Sequence, residues 1–123
     1  MSQRRRTRSP NPNLTGLIIL LKKKSRENQA AIWRDISEQL AKPRRKRISV
    51  NISRVNRHTK DGDEVLVPGK VIGSGLLDHP VKVAALDFSE QARSKILGAK
   101  GQCLSISELL EINPKGASVK VIG

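Results

Sequence analysis

The chain is 123 residues long, with 37% apolar and 28% charged residues and a formal net charge of +13. This length suits one domain with a modest core, and the single cysteine, Cys103, excludes an internal disulfide and a multi-cysteine zinc site. The apolar stretch from Leu14 to Leu21 lacks a small-residue cleavage site and is far shorter than the ~20 residues of a membrane span, so we expect a cytoplasmic protein with no membrane partner and no secretory signal.

The charge is distributed unevenly along the chain. Residues 1–60 contain 17 of the 24 Lys and Arg residues but three of the 11 Asp and Glu residues, whereas residues 61–123 have a net charge of −1. This asymmetry indicates a polyanion partner for the first half, and nucleic acid is the leading candidate. With one Trp, one Phe and no Tyr, base stacking on aromatic side chains is disfavoured. We expect recognition of the shape and charge of an RNA backbone.

Residues 1–11 are predicted to be a basic extended arm that orders only against a partner. Its four arginines have no apolar anchor: Arg4, Arg5, Arg6 and Arg8. Asn11-Pro12 then offers an N-cap and a first-turn proline, and apolar residues recur at helical spacing from Leu14 to Leu21. At the C-terminal end of this first helix we place Lys22, Lys23 and Lys24, where cations complement the helix dipole. These lysines either bind phosphate or form a solvated cap.

A second helix is predicted from about Gln29 to Leu40, with Pro43 ending it. A third basic cluster follows directly, in a loop: Arg44, Arg45, Lys46 and Arg47. The three clusters are not matched by nearby carboxylates, so a polyanion would relieve their mutual repulsion. We therefore assign the arm and this loop to phosphate binding.

A short strand at 48–50 and a short helix at Ser53–His58 complete a helical, basic RNA-binding region over residues 12–60. The spacing of Arg54 and Arg57 places both on one side of this helix. We include both in the predicted RNA contacts.

Residues 61–123 are predicted to form a compact α/β body within the same single domain. Short β-rich pieces separated by Pro and Gly lie at 65–67, 71–72, 81–83 and 119–121. One helix begins at Asp87 or Ser89, and another at Ser105, where the sequence SISE matches a capping box. The alternation of short strands and helices predicts the α/β class, with small, irregular sheets.

No group of residues has the pattern of an active site. The glycines at 69, 73 and 75 are not followed by the Lys and Ser/Thr of a phosphate-binding loop, and we interpret them as a turn that uses positive φ. Cys103 has only His58 and His79 as imidazole partners, and no spacing links them. We therefore predict no catalytic residue, no metal, no cofactor and no small-molecule substrate.

One long pattern is more specific than the composition. It comprises VLVPGKVIGSG at 65–75, VKVAAL at 81–86, FSEQARSKI at 88–96, ISELL at 106–110 and NPKG at 113–116. Together these segments resemble the large-subunit ribosomal protein family that contains bacterial protein fifteen and archaeal and eukaryotic protein eighteen-e. PNL at 12–14, IWRDI at 32–36 and VNISR at 50–54 resemble the archaeal eighteen-e type in particular. One departure is Ala99-Lys100-Gly101, where the family pattern has a Gly-Gly pair.

The resemblance implies a short, irregular β-β-α superhelix with a helical N-terminal part packed against it. It also implies a permanent place in the large ribosomal subunit, bound to the large rRNA and to neighbouring ribosomal proteins. The RNA contacts would lie mainly in the basic N-terminal region, in agreement with the charge pattern. We do not expect a homo-oligomer.

Two other functions stay open at this point. A chromatin factor or RNA chaperone would use the same basic segments, and only the pattern at 65–96 separates it from a ribosomal protein. An RNA-processing nuclease or small hydrolase would need Asp87, His79 or Cys103 in catalysis. A structural rRNA-binding protein without catalysis is the leading interpretation.

Overall fold

The computed structural model describes residues 12–42 and 48–122, apart from the side chains of Pro12 and Asn13. Helices and strands alternate through this part of the chain. In order they are α1 (Pro12–Asn28), α2 (Ala31–Leu40), β1 (Ile48–Asn51), α3 (Ile52–His58), β2 (Glu64–Ile72), β3 (Lys82–Phe88), α4 (Glu90–Gly98), β4 (Gln102–Ser105), α5 (Ile106–Ile112) and β5 (Val119–Val121). The predicted α/β class is confirmed.

The five described strands lie in one parallel sheet with β2 at its centre. Strand β3 pairs along one edge of β2, and β4 pairs with β3. The other edge of β2 is shared, because β5 pairs with its first three residues and β1 with its last four. The strands therefore form one sheet and not the several small sheets expected from the sequence, but the sheet is irregular, with short strands and a shared edge.

Strand β2 runs through Pro68 and Gly69, where the sequence predicts a break between two short strands. A bulge between Val67 and Lys70 shifts the register against β3, and bulges are where a sheet tolerates proline. A Cβ at position 69 would collide with the carbonyl of Ile48 in β1. Glycine there allows the two strands to approach, and the strand continues.

Both faces of the sheet are buried. Val65 and Val67 pack with helices α3 and α4 in one core, while Leu66 between them packs with α1, α2 and α5 in a second core. Parallel strands covered on both faces are apolar almost without interruption. This explains the apolar run at 65–67.

Helices α1 and α2 form a hairpin over the second core. The turn contains Gln29 with φ 52°, so α2 begins at Ala31 rather than at Gln29. Helix α1 continues to Asn28, so Lys22–Lys24 lie within it and not at its C-terminal end as predicted. Lys, Arg and Glu are good helix formers and extend the helix beyond the apolar stripe. Within the two described ranges, no helix is both long and apolar enough to cross a membrane.

The starts of α4 and α5 follow their predicted caps. Strand β3 continues to Phe88, so the alternative start at Asp87 is wrong and the one at Ser89 is confirmed, with its Oγ accepting the Ala92 N–H at 3.1 Å. The capping box before α5 is also confirmed: Ser105 Oγ accepts the Glu108 N–H at 3.1 Å, and Glu108 Oε1 accepts the Ser105 N–H at 2.8 Å.

Candidate nucleic-acid interface

The predicted RNA contacts fall into three groups in the structure. Two basic clusters, Arg4–Arg8 and Arg44–Arg47, lie outside the described residues. Lys22, Lys23 and Lys24 lie on α1, and Arg54 and Arg57 lie on α3. The two helices are on opposite faces of the sheet, because α1 packs in the second core and α3 in the first. The sheet therefore separates the contacts predicted on α1 from those predicted on α3.

The solvent face of α1 carries a line of cations. Thr15, Ile19, Lys22, Lys23 and Arg26 are all exposed, whereas Leu21 on the opposite side is fully buried. Residues three and four apart lie above one another on a helix. Lys22, Lys23 and Arg26 thus form one surface, which we call the α1 stripe.

The α1 stripe has too few carboxylates to neutralise it. Glu27 is shared, with Oε1 3.3 Å from Lys24 Nζ and Oε2 3.9 Å from Lys23 Nζ. Lys22 and Arg26 pair with no carboxylate in the described part of the chain. They stand four residues apart, so they repel one another in the free protein. Lys22 and Lys24 were predicted as members of one cluster, but they differ in the structure: Lys24 has a carboxylate partner, and Lys22 has none in the described part of the chain.

Arg26 was missed in the sequence analysis. Its position four residues after Lys22 on the predicted helix is the signal that identifies it, because this spacing puts both cations on one face.

On the other face of the sheet, α3 begins against the loop that follows β2. The predicted positive-φ turn is confirmed only at Gly75, which has φ +101° and where a Cβ would collide with Ser53. Gly73 has no positive φ, and Gly69 lies within β2. The Ser53 N–H donates to the Ser74 carbonyl at 3.1 Å. Lys95 of α4 reaches the same loop, where Nζ donates to the carbonyls of Gly73 and Gly75, both at 2.5 Å. Lys95 was not among the predicted contacts, because nothing in its spacing links it to this loop.

His79, which an enzymatic function would need, has hydrogen-bond partners arranged like those of a catalytic triad. His79 Nδ1 lies 2.8 Å from Asp78 Oδ1, and its Nε2 lies 2.7 Å from Thr59 Oγ1. Thr59, however, is buried and its hydroxyl also donates to the Val55 carbonyl at 2.7 Å. A substrate cannot reach this oxygen. The arrangement holds the end of α3 to the loop before β3.

The other two residues of that alternative, Cys103 and Asp87, form no hydrogen bond with His79 in the described part of the chain. Burial raises the pKa of the Cys103 thiol, and the nearby Arg93 guanidinium offsets this only in part, so thiolate formation is disfavoured. One Asp87 oxygen accepts the Phe88 N–H and the other lies 4.0 Å from Lys70 Nζ. Across residues 12–42 and 48–122, no three His, Cys, Asp or Glu side chains are placed to hold a metal ion.

Comparison with known proteins decides the family. Residues 1–122 match the family model described as ribosomal protein 60S L18 and 50S L18e. The chain belongs to this family. The resemblance inferred from the sequence is confirmed.

Curated relatives of the L18e family cover nearly the whole chain. The large ribosomal subunit protein eL18 of Methanoregula boonei is 54% identical over 112 residues, which is 91% of this chain and 93% of that protein. The eL18 proteins of Archaeoglobus fulgidus and Methanothermobacter thermautotrophicus are each 50% identical, over 94% and 96% of this chain and 98% of their own lengths. The family is one of ribosomal structural proteins and is not an enzyme family.

Ala99-Lys100-Gly101, where the resemblance led us to expect a Gly-Gly pair, lies at the end of α4. Helix α4 ends in a Schellman motif: the Gly101 N–H donates to the Ile96 carbonyl at 2.9 Å and the Lys100 N–H to the Leu97 carbonyl at 3.0 Å. Lys100 occupies the left-handed position with φ 67°, which favours glycine. The lysine leaves the turn intact but strained.

Proposed function

We propose that this protein is a structural constituent of the large ribosomal subunit, in the cytoplasm, and that it binds large-subunit rRNA through its basic N-terminal segments without catalysing a reaction. One observation carries the proposal. In a chain that belongs to a family of large-subunit ribosomal proteins, the entire excess positive charge lies in residues 1–60.

The proposed contacts neutralise phosphates and release condensed counterions. Among the described residues, the α1 stripe supports this role best. Its uncompensated pair, Lys22 and Arg26, is destabilising without a polyanion and favourable beside one. Lys23 and Lys24 already share Glu27, so they contribute less. We assign phosphate binding also to the arginine-rich clusters at 4–8 and 44–47, because guanidinium groups bind phosphate in a bidentate manner.

The proposed division of the chain is an arm (1–11), a helical rRNA-binding region (12–60) and a compact body (61–123) within one domain. Both cores contain residues from the last two segments: Trp33 packs in the same core as Leu109, and Val55 in the same core as Val67. This shared burial supports one folding unit. We further propose that neighbouring ribosomal proteins contact the nearly neutral body and that the protein does not form a homo-oligomer.

Sedimentation tests the ribosomal assignment. Tagged protein expressed in its own source cells is separated on a sucrose gradient, and we expect it to sediment with the large subunits. Recovery only at the top of the gradient would contradict the proposal and favour a free chromatin factor or RNA chaperone.

Salt dependence tests the rRNA interface. The full-length protein is titrated onto protein-depleted rRNA from archaeal large subunits at several salt concentrations, and log Kd is plotted against log salt. Each lost phosphate contact reduces the slope by about 0.7–0.9. We expect this reduction for Lys22→Gln and a smaller one for the matched control Lys24→Gln, whose ammonium already pairs with Glu27. Equal slopes for the wild type, Lys22→Gln and a variant with alanine at 44–47 would show that these cations do not contact RNA.

A further inference from the structure

The loop that follows β2 holds a fixed ammonium group. Lys95 Nζ donates to the carbonyl oxygens of Gly73 and Gly75, at 2.5 Å each. A lysine ammonium has three N–H donors, so one is left for another acceptor. A flexible lysine loses considerable side-chain entropy when it is immobilised on a ligand. Here the fold has already immobilised it.

The charge of this ammonium is not neutralised within the described protein. Its two acceptors are neutral carbonyl groups, and no carboxylate in residues 12–42 or 48–122 forms an ion pair with it. The nearest acidic residue along the loop, Asp78, is bonded to His79. The group therefore attracts an external anion through both its charge and its remaining donor.

A second cation lies on the same side of this loop. Ser53 touches the loop at Gly75, and Arg57 stands four residues after Ser53 in α3, one turn away on the same face of the helix. Arg57 is exposed and has no carboxylate partner among the described residues. We call Lys95, the backbone of residues 73–75 and Arg57, one helical turn from the contact of α3 with this loop, the glycine-loop surface.

The glycine-loop surface is distinct from the α1 stripe. Helices α3 and α4 cover one face of the sheet, whereas α1 covers the other. A continuous nucleic-acid backbone cannot contact both without passing around the edge of the sheet. Nucleic-acid contacts at the two surfaces would therefore come from separate stretches of backbone.

We propose that the glycine-loop surface is a second rRNA-binding site, in which Lys95 and Arg57 contact backbone phosphates of an rRNA segment other than the one bound by the α1 stripe. The site places an RNA contact in the half of the chain that has almost no net charge. This inference rests on the proposed rRNA binding. An acidic segment of a neighbouring protein is the other anion that fits, but rRNA is favoured because the chain belongs to a family of large-subunit ribosomal proteins and cations that neutralise phosphates release condensed counterions.

The test uses the full-length chain and protein-depleted rRNA from archaeal large subunits, with Kd measured across a salt series. We expect Lys95→Gln and Arg57→Gln each to reduce the slope of log Kd against log salt by about 0.7–0.9, and Lys95→Arg to keep it. Lys115→Gln is the matched control. It removes the same charge from an exposed residue in the turn between α5 and β5, next to Pro114, whose carbonyl accepts a hydrogen bond from Trp33 in the second core. Thermal unfolding identifies any variant that loses its fold. Arg57→Gln tests the site while keeping the two hydrogen bonds from Lys95 Nζ to the carbonyls of Gly73 and Gly75.

Hydroxyl-radical footprinting of the same rRNA distinguishes the two surfaces. We expect Arg57→Gln with Lys95→Gln to remove protection from one rRNA segment, and Lys22→Gln with Arg26→Gln to remove it from another. If the α1 variants reduce the slope but the Lys95 and Arg57 variants change neither slope nor footprint, the second site is wrong while rRNA binding stands. If the wild type shows no salt-dependent binding, the proposed function itself fails. If the Lys95 and Arg57 variants bind bare rRNA normally but dissociate from intact subunits, the partner is a protein and the inference is overturned.

Discussion

Trp33 Nε1 donates a hydrogen bond to the carbonyl oxygen of Pro114 at 2.6 Å, across 81 positions of sequence. Trp33 is fully buried in α2, and Pro114 belongs to the turn that leads from α5 to β5. The bond therefore connects the basic helical hairpin to the C-terminal turn of the body. The position of the α1 stripe relative to the body depends in part on this contact.

Replacing Trp33 with Phe removes this donor and part of the buried ring. We expect the free energy of unfolding in urea to fall by about 1–3 kcal/mol, from the lost hydrogen bond and the cavity. Pro114→Ala is the control, because alanine keeps the carbonyl acceptor; it should cost only about 0.4–1 kcal/mol through the unfolded chain. A Trp33→Phe protein as stable as the wild type would show that the hairpin is held by other contacts.

Lys100→Gly should stabilise the protein. Lys100 occupies the left-handed position of the Schellman motif with φ 67°, which costs a non-glycine residue roughly 1–2 kcal/mol, partly offset by the greater entropy of glycine in the unfolded chain. We expect a net gain of up to about 1 kcal/mol in the free energy of unfolding. Lys115→Gly removes the same charge at a position without positive φ and should give no gain. Equal gains from both variants would assign the effect to charge instead of backbone strain.

Lys22→Gln and Lys24→Gln should change stability in opposite directions. Removing Lys22 relieves its repulsion with Arg26 and should raise the free energy of unfolding of the free protein by about 0.2–0.5 kcal/mol, whereas removing Lys24 breaks the pair with Glu27 and should lower it by about the same amount. Urea unfolding at low salt measures both, and high salt should shrink both effects. A loss of stability in Lys22→Gln would mean that Lys22 has a stabilising role within the free fold.

The stability contributed by Asp63 should depend on pH. A hydrogen bond from Lys120 Nζ, 2.8 Å from Oδ2, and one from the Lys60 backbone N–H hold the pKa of the Asp63 carboxyl below its ordinary value of 3.8. A folded-state pKa below the unfolded one means that this stability is present above pH 3.8 and is lost as the pH falls through the lowered folded-state value.

Asp63→Asn should therefore melt at a lower temperature than the wild type at neutral pH, and the difference should close in acid below pH 3.8. Asp61→Asn in the same turn is the control, since Asp61 has no ion pair within the described part of the chain and should give a small difference at every pH. A difference for Asp63→Asn that persists unchanged in acid would show that the contribution is not electrostatic.

Local sequence patterns predict those helices and strands whose conformation is determined by residues within or next to the segment itself. The caps at Ser89 and Ser105 depend on side chains a few residues apart, and the structure agrees with both. Strand β4 was missed because Gln102–Ser105 has no β-branched residue. Its conformation comes from pairing with β3, which is set by the rest of the fold. The break predicted at Pro68 was wrong for a related reason: the bulge that accommodates this proline forms only when β2 pairs with β3.

The candidate site was predictable only in part. Charge counting finds Lys22 and the arginines, but it cannot show that Arg57 and Lys22 lie on opposite faces of the sheet, because burial of α3 and α1 in different cores decides this. It also assigns no role to Lys95, whose partners are backbone carbonyls twenty or more residues away. Contacts to backbone leave no pattern in side-chain spacing.

The shared edge of β2 has a consequence for synthesis. Strand β5 occupies the half of that edge beside Glu64–Leu66, next to the half taken by β1. During translation, an emerging chain that already contains β1 to β4 still exposes three unpaired backbone positions at the centre of its sheet. This part of the β2 edge is paired only when β5 is available up to Val121. A nascent chain shorter than this presents an unpaired strand edge to its surroundings.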